Sequence, residues 1–260
     1  MKEVLRTDRL SVSYGGVQAL TDVDVAVDEG QLVGLIGPNG AGKTTFIDAA
    51  TGFTASTGRV VLCGEDVSTH PPHRRARMGL ARTWQSADLF EDLSVRENLL
   101  VASADRNWRT TVGEVLTGRL RAAEDVDRAL ADVGLDRLSD QAADQLTQGQ
   151  RKLVGVARAL AARPRVICLD EPAAGLDTAE SEELGRRLRA VAHRGTGLLL
   201  VDHDMGLVLS VCDQVVVLDF GKVIARGSPE QVRQDHRVIE AYLGSAADEV
   251  AGEPAPVESP

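Results

Sequence analysis

A glycine-rich stretch, G-P-N-G-A-G-K-T-T at 37–45, carries the residue types needed to hold a phosphate group. It follows the apolar run Q-L-V-G-L-I and precedes T-F-I-D-A-A, which is typical of a helix. Glycines let such a loop curl until its backbone N–H groups point at one anion. In this strand–loop–helix setting, the spacing of Gly37, Gly42, Lys43 and Thr44 predicts a phosphate-binding loop rather than an ordinary glycine-rich turn.

Each polar residue of this loop has a predicted task. Lys43 is expected to reach the β- and γ-phosphates of a nucleotide, and the Thr44 hydroxyl is expected to ligate Mg²⁺. The predicted nucleotide-binding residues of the loop are Gly37, Pro38, Asn39, Gly40, Ala41, Gly42, Lys43, Thr44 and Thr45.

A second candidate is V-I-C-L-D-E at 166–171, an apolar strand that ends in two carboxylates. Asp170 is predicted to hold Mg²⁺ beside the phosphate loop, through a water molecule. Glu171 would then project toward the γ-phosphate and polarise the attacking water. A strand ending in Asp-Glu is a weak signal by itself, but beside a phosphate loop it becomes a strong one.

The stretch L-T-Q-G-Q at 146–150 precedes R-K-L-V-G-V-A-R-A-L-A-A, which has the pattern of a helix. Thr147 and Gly149 therefore stand where a helix begins, and free backbone N–H groups at such a point attract an anion. The chain thus contains two predicted phosphate sites about a hundred residues apart along the sequence.

Strand-length apolar runs indicate the core that positions these loops. They are V-V-L-C at 60–63, V-I-C-L at 166–169, L-L-L-V at 198–201 and V-V-V-L at 215–218. Unbroken runs suit strands buried on both faces of a mostly parallel sheet, and the helical stretches between several of them predict an α/β core. The first 30 residues alternate instead, as half-exposed antiparallel strands do.

Residues 91–145 lack strand patterns, and a helical lobe inserted into the α/β core is predicted at about 86–145. S-V-R-E at 94–97 is a capping box that opens one helix, and a stripe of apolar residues predicts another near 120–133, ended by Gly134. S-P-E-Q at 228–231 predicts a further helix start. The acidic, proline-containing segment 246–260 is predicted to be disordered.

Composition excludes several functions. The net charge of −10 argues against a general nucleic-acid binder, so no nucleic-acid partner is expected. The basic cluster H-R-R-A-R at 73–77 fits a solvated face better than a contact with lipid or a partner. Three cysteines without a paired pattern indicate reduced thiols, and the longest apolar run, Leu32–Gly37, is far shorter than the ~20 residues of a membrane span.

Taken in order, these motifs resemble the ATP-binding cassettes of ABC transporters over roughly residues 4–244. The resemblance rests on Tyr14, the 37–45 loop, Gln85, L-T-Q-G-Q, D-E-P-A-A-G-L-D at 170–177 and His203. It implies a P-loop NTPase (RecA-like) core with a mostly parallel sheet, an N-terminal antiparallel subdomain and an inserted helical subdomain, all within one domain at 1–245. The implied ligands are ATP and Mg²⁺.

The resemblance also implies residue roles. Tyr14 would stack on adenine, Gln85 would sense Mg²⁺ and the attacking water, and Glu171 would be the general base. Asp177 would end a loop that communicates between subunits, and His203 would contact the γ-phosphate. Each has an ordinary alternative: Tyr14 could be a strand aromatic, Gln85 a surface amide, and His203 a cap of the following helix.

The family further implies why there are two anion sites. Two subunits pack head to tail, and each presents its signature loop to the other's ATP; here that loop is Leu146, Thr147, Gln148, Gly149 and Gln150. The commonest family signature is L-S-G-G-Q. Threonine keeps the hydroxyl, whereas Gln148 replaces a glycine, which would matter if the position required a positive φ.

Several stretches resemble the ATPases of branched-chain amino acid importers. They are 79–98, 170–177, 201–205 and 238–244. The implied partners are a second ATPase subunit, two transmembrane permease subunits and an extracytoplasmic solute-binding protein, with this chain on the cytoplasmic face of the membrane. One alternative is a soluble ABC ATPase that acts in DNA repair or translation. Another is a P-loop scaffold that does not hydrolyse ATP, and the presence of Glu171 and His203 argues against the scaffold.

Overall fold

The alternating N-terminal segments form an antiparallel sheet in the computed structural model, which describes residues 2–84, 89–103 and 118–242. Its strands are β1 (Glu3–Tyr14), β2 (Val17–Asp28), β4 (Thr57–Leu62) and β5 (Glu65–Asp66), in the order β2-β1-β4-β5. The apolar run at 60–63 therefore lies in this sheet and not in the parallel one, so that expectation was wrong. An apolar run records burial, and β4 is buried against the core without joining the parallel strands.

The second sheet has the order β10-β9-β3-β8-β7-β6. Its strands are β3 (Leu32–Ile36), β6 (Leu80–Arg82), β7 (Val166–Asp170), β8 (Gly197–Val201), β9 (Gln214–Asp219) and β10 (Lys222–Gly227). All neighbouring pairs are parallel except β9 with β10. Strands β3, β7 and β8 are buried at every position, as the unbroken apolar runs predicted.

Helices cover this sheet on both faces. They are α1 (Lys43–Thr51), α2 (Pro72–Arg77), α3 (Val95–Ser103), α4 (Gly118–Val133), α5 (Gln148–Ala161), α6 (Thr178–His193), α7 (Met205–Val211) and α8 (Pro229–Gln234). One face packs α1 and the antiparallel sheet around Phe46, and the other packs α5, α6 and α7. The α/β core predicted from the sequence is confirmed.

The segment between β6 and α5 is helical in its described part. The Ser94 hydroxyl accepts from the Glu97 backbone N–H at 3.2 Å, and the Glu97 carboxylate accepts from the Ser94 backbone N–H at 2.8 Å. The predicted capping box is therefore present, and α3 begins at Val95. Helix α4 ends before Gly134, which has φ 72°, and packs against α5.

The basic cluster at 73–77 is only partly a solvated face. Arg75 of α2 is 3% exposed, and one of its Nη atoms donates to the carbonyls of Ala49 and Ala50 at 2.9 and 2.7 Å. It thereby satisfies two of the acceptors that the end of α1 leaves open. The neighbouring Arg74 is exposed, so the prediction was wrong for Arg75 and correct for Arg74.

Candidate nucleotide site

A cavity of about 430 Å³ opens at the carboxyl ends of the parallel strands, where α/β folds bind ligands. The residues that line it come from β2, the loop before α1 with the start of α1, and the ends of β7 and β9: Val17, Gln18, Ala19, Asn39, Gly40, Ala41, Gly42, Lys43, Thr44, Thr45, Glu171 and Phe220. The structure thus brings most of the predicted phosphate loop and Glu171 to one cavity.

Close packing explains two of the glycines. Gly37 has φ 155°, and a Cβ atom there would lie 2.1 Å from the Leu218 carbonyl oxygen. Gly42 has φ 102°, and its Cβ would lie 2.7 Å from Leu20 Cδ2. Any side chain at either position would therefore displace β9 or β2 from the loop, or force the loop to open.

Lys43 is 7% exposed although it carries a charge. Its Nζ donates to the carbonyl oxygens of Gly37 at 2.7 Å and Pro38 at 2.9 Å, so the loop holds the ammonium in place. Burial lowers the pKa of Lys43, and the negative charges of Glu171, Asp202 and Asp170 oppose that shift. The buried cation therefore faces three carboxylates at the base of the phosphate loop.

Asp170 ends β7, and its Oδ2 accepts from Arg82 Nη2 at 2.9 Å. Burial raises the pKa of Asp170, while the hydrogen bond and charge of Arg82 act against that rise. Arg82 also contacts Asp48 of α1. One guanidinium thus joins the end of β7 to α1, the helix that starts in the phosphate loop.

Two exposed aromatic rings cover Arg82. Its guanidinium carbon lies 4.3 Å from the centroid of the Trp84 ring and 5.8 Å from that of Phe53. The rings of Phe53 and Trp84 meet edge to face, with centroids 5.2 Å apart. Both rings are more than half exposed. A buried ionic contact of the site is therefore continuous with an aromatic surface.

The carboxyl end of β8 supplies a fully buried acid. Asp202 accepts from the backbone N–H groups of Asp204 at 3.0 Å and Ala173 at 3.1 Å. Its Oδ1 lies 3.6 Å from His203 Nδ1, and the same nitrogen lies 4.0 Å from Glu171 Oε2. Burial raises the pKa of Asp202, and its backbone hydrogen bonds oppose that rise.

The cap of α7 is Asp204, whose carboxylate accepts from the Leu207 backbone N–H at 3.1 Å. His203 is therefore not the cap, and its exposed ring faces Glu171 and Asp202 instead. Glu171 itself has φ 46°, and its backbone N–H donates to the Val201 carbonyl at 2.7 Å. This hydrogen bond holds Glu171, with its strained backbone, against the end of β8. His203 follows the same strand.

Five of the described residues predicted to act at the nucleotide do not line this cavity: Tyr14, Gly37, Pro38, Asp170 and His203. The Tyr14 ring is half exposed, and its hydroxyl lies 3.3 Å from the Thr54 hydroxyl; Tyr14 is not among the lining residues. Gln85 lies outside the described residues, as do 246–260, so the predicted roles of Gln85 and of the tail stay predictions.

The predicted signature loop lies at the start of α5, where Thr147 and Gln150 form a capping box. The Thr147 side chain accepts from the Gln150 backbone N–H, and the Gln150 side chain accepts from the Thr147 backbone N–H. Leu146 is buried. Gln148 is the first residue of α5, and its φ is not positive. Glutamine therefore costs no backbone strain at this position.

An internal carboxylate already contacts this helix start. The Gly149 backbone N–H donates to Glu180 Oε1 at 3.2 Å. Glu180 lies in the first turn of α6, which Asp177 caps by accepting from the Glu180 backbone N–H at 2.8 Å. The signature residues do not line the cavity of their own chain. The predicted second anion site is thus separate from the cavity, and its Gly149 amide is bonded to a carboxylate of α6.

The family model for ABC transporters matches residues 20–174, more than half of the chain. The chain belongs to the ABC transporter ATP-binding family. The model for branched-chain amino acid ATP-binding cassette transporters also matches 222–248. In this ABC ATPase the predicted phosphate loop, the predicted signature loop and the two carboxylates at the end of β7 all lie within the matched range 20–174.

Relatives agree over nearly the whole chain. The high-affinity branched-chain amino acid transport ATP-binding protein BraF of Pseudomonas aeruginosa is 38% identical over 94% of this chain and 99% of its own. The lipopolysaccharide export system ATP-binding protein LptB of Haemophilus influenzae is 36% identical over 93% of this chain and 97% of its own. A solved ABC transporter cassette in its ADP conformation has a TM-score of 0.83 and 29% identity, covering 94% of this chain and 100% of its own.

Sequence reasoning missed four residues of the ABC ATPase that the structure places at or beside these sites: Arg82, Glu180, Asp202 and Phe220. Asp202 stood in V-D-H-D beside the predicted His203, so a polar residue directly after a buried strand could have indicated it. Nothing in the local pattern distinguishes Arg82 or Glu180 from other charged residues of the chain.

Replacing Arg82 with methionine should lower the free energy of unfolding by about 3–5 kcal/mol, because two carboxylates lose a buried partner. Arg59→Met is the matched control, since the exposed Arg59–Asp66 pair contributes only about 0–1 kcal/mol. Urea unfolding followed by circular dichroism measures both. The double variant Arg82→Met/Asp170→Asn should lose less free energy of unfolding than the sum of the losses of the two single variants. If Arg82→Met and Arg59→Met lose the same free energy of unfolding, Arg82 has no special role in stability.

Proposed function

We propose that this ABC ATPase drives an importer of branched-chain amino acids or a related small polar solute, and that two copies close head to tail around two ATP molecules. The observation that supports the dimer is that the phosphate loop and the predicted signature loop of one chain lie apart. The signature helix begins outside the cavity that the phosphate loop of the same chain lines. A second chain is the partner that can bring both sites to one phosphate.

Residues that line the cavity, together with Asp170 and His203 beside it, would divide the work of hydrolysis. The loop amides and Lys43 would bind the β- and γ-phosphates, while the Thr44 hydroxyl and Asp170 would hold Mg²⁺. The donors fit this ion, since Mg²⁺ prefers oxygen ligands and takes one or two carboxylates together with substrate phosphates. Bound there, Mg²⁺ neutralises charge on the phosphate oxygens.

Glu171 is the proposed general base. It lines the cavity next to the phosphate loop, and a carboxylate there can accept a proton from water as the water attacks the γ-phosphate. His203, whose Nδ1 lies 4.0 Å from Glu171 Oε2, would contact the γ-phosphate, and the buried Asp202, 3.6 Å from the same nitrogen, would help to orient its ring. Gln85 keeps its predicted role at the metal and the attacking water.

ATP would stabilise the closed dimer through the signature helix. Thr147 and the Gly149 amide would contact the γ-phosphate on the partner subunit, where a helix N-terminus attracts an anion by up to ~2 kcal/mol when partly buried. To do so, the Gly149 amide must exchange Glu180 for phosphate. Loss of the γ-phosphate reverses the exchange, so the nucleotide state sets whether the dimer is closed.

The exposed aromatic pair Phe53–Trp84 is the proposed contact with a permease subunit. Apolar groups exposed together mark interaction surfaces, and Arg82 connects this pair to Asp170 and α1. A membrane subunit bound here would be coupled to the nucleotide site through one ionic contact. Among residues 2–84, 89–103 and 118–242, no helix is both long and apolar enough to cross a membrane.

Purification of the tagged protein from membranes tests the transport assignment. We expect two hydrophobic permease subunits to copurify, and Phe53→Ser to reduce their recovery severalfold while Ile239→Ser, an exposed apolar control, does not. Binding of labelled leucine by the recovered solute-binding protein would support import. Copurification with lipopolysaccharide-export components would select the function named for the relative LptB, and ribosomes or DNA would select a soluble ATPase.

Glu171→Gln should bind ATP, hydrolyse it slowly and accumulate as a closed dimer, because the base is lost while the phosphate contacts remain. Size-exclusion chromatography with light scattering should show a dimer with ATP and Mg²⁺ and a monomer with ADP. Adding Lys43→Ala should abolish the dimer through loss of nucleotide binding. A Glu171→Gln protein that stays monomeric at saturating ATP would contradict the head-to-tail arrangement.

Glu180→Ala, introduced into Glu171→Gln, should lower the ATP concentration needed for half-maximal dimerisation about fivefold. The reason is that phosphate no longer competes with a hydrogen bond worth about 1 kcal/mol. Glu182→Ala is the control, since Glu182 lies exposed on the same helix. An unchanged or higher ATP requirement in Glu180→Ala would show that Glu180 does not compete with the phosphate.

A further inference from the structure

Phe220 is an unusual residue for its position. β9 ends at Asp219 and β10 begins at Lys222, and these two residues pair across the hairpin. Phe220 and Gly221 form the connecting turn, with φ values of 41° and 74°. Two positive φ values define a type I′ turn, whose first position favours asparagine, aspartate or glycine. A bulky aromatic residue there is strained.

The side chain is also poorly placed for folding. Phe220 is 86% exposed, more than any other large apolar residue described in the chain. It therefore contributes little burial to the core while keeping the turn in a conformation that asparagine adopts more readily. Strain kept at a surface position points to a task outside the fold itself.

The turn is held against the nucleotide site. The Gly221 backbone N–H donates to the Ala41 carbonyl at 3.0 Å, and the Gly221 carbonyl accepts from the Thr21 backbone N–H at 2.8 Å. A Cβ atom at Gly221 would lie 2.3 Å from the Ala19 carbonyl oxygen, so the contact with β2 is close. Phe220 is thus fixed relative to the phosphate loop.

Phe220 is one of the residues that line the nucleotide cavity. Phe220 and Val17, which is 70% exposed, add apolar surface to a cavity otherwise dominated by the phosphate loop. Phosphate gains nothing from apolar side chains, whereas a purine base or a ribose does. The family resemblance implies that Tyr14 stacks on adenine, but the Tyr14 hydroxyl lies 3.3 Å from the Thr54 hydroxyl, and Tyr14 is not among the lining residues.

We propose that Phe220 is a nucleotide-binding residue that packs against the adenosine part of the bound nucleotide. This inference rests on the proposed ATP site and deepens it. The strained turn presents an aromatic face at the rim of the phosphate loop, and the adenosine covers a ring that is otherwise exposed. Contact with the nucleoside, and not with the phosphates, makes Phe220 a determinant of affinity for ADP and ATP alike.

The test compares the full chain with Phe220→Asn and Phe220→Tyr by isothermal titration with ADP and with tripolyphosphate, both with Mg²⁺. We expect Phe220→Asn to raise the Kd for ADP about 5- to 30-fold, the loss of one aromatic–base contact, with tripolyphosphate binding unchanged. Phe220→Tyr keeps the aromatic face and should retain affinity for ADP. The melting temperature of Phe220→Asn should equal or exceed that of the unaltered chain, because asparagine suits the turn.

Either of two results would overturn the inference. One is an unchanged Kd for ADP in Phe220→Asn; if ATP-dependent dimerisation of Glu171→Gln were impaired by the same change, Phe220 would be a subunit contact. The other is an equal loss of ADP and tripolyphosphate binding. If the unaltered chain itself does not bind ADP, the proposed ATP site fails, and this outcome is distinct from both.

Discussion

A single buried ammonium group sets the electrostatics of this site. Lys43 is held by the carbonyls of its own loop and faces three carboxylates at the ends of two strands. Without the lysine, those acids would repel each other and any phosphate that approached them, because charges in a poorly solvated site interact strongly. With it, the loop can accept an anion while the acids remain close enough to hold a metal ion and to activate water.

The parallel sheet explains why these groups meet. β3 leads into the phosphate loop, β7 ends in Asp170, β8 leads to Asp202, and β9 leads to Phe220. Carboxyl ends of parallel strands lie at one edge, so residues far apart along the chain reach one cavity without long loops. The start of α5 lies outside this cavity. In the proposed dimer, each subunit would therefore supply the phosphate loop of one nucleotide site and the signature loop of the other.

Features that depend on neighbouring residues could be predicted from the sequence. The strand–loop–helix around 37–45, the Ser94 capping box, the helix start at 228–231 and the fully buried strands follow from local spacing, and the structure contains them. Contacts across the fold could not be predicted. Arg82 and Asp170 are 88 positions apart, and Gly149 and Glu180 are 31 apart, while charged residues are common throughout the chain. An apolar run such as 60–63 reports burial but not the sheet to which the strand belongs.

Arg75 gives α1 a mechanical property. The helix begins at Lys43 in the phosphate loop, and Arg75 clamps the carbonyls of its last turn. Because several hydrogen bonds hold that end, it should resist fraying, and the nine residues of α1 would behave as a stiff rod about 13 Å long. Phe53 follows the far end of this helix. A tilt of the loop on gain or loss of a phosphate would therefore displace the surface at Phe53, which Arg82 also contacts.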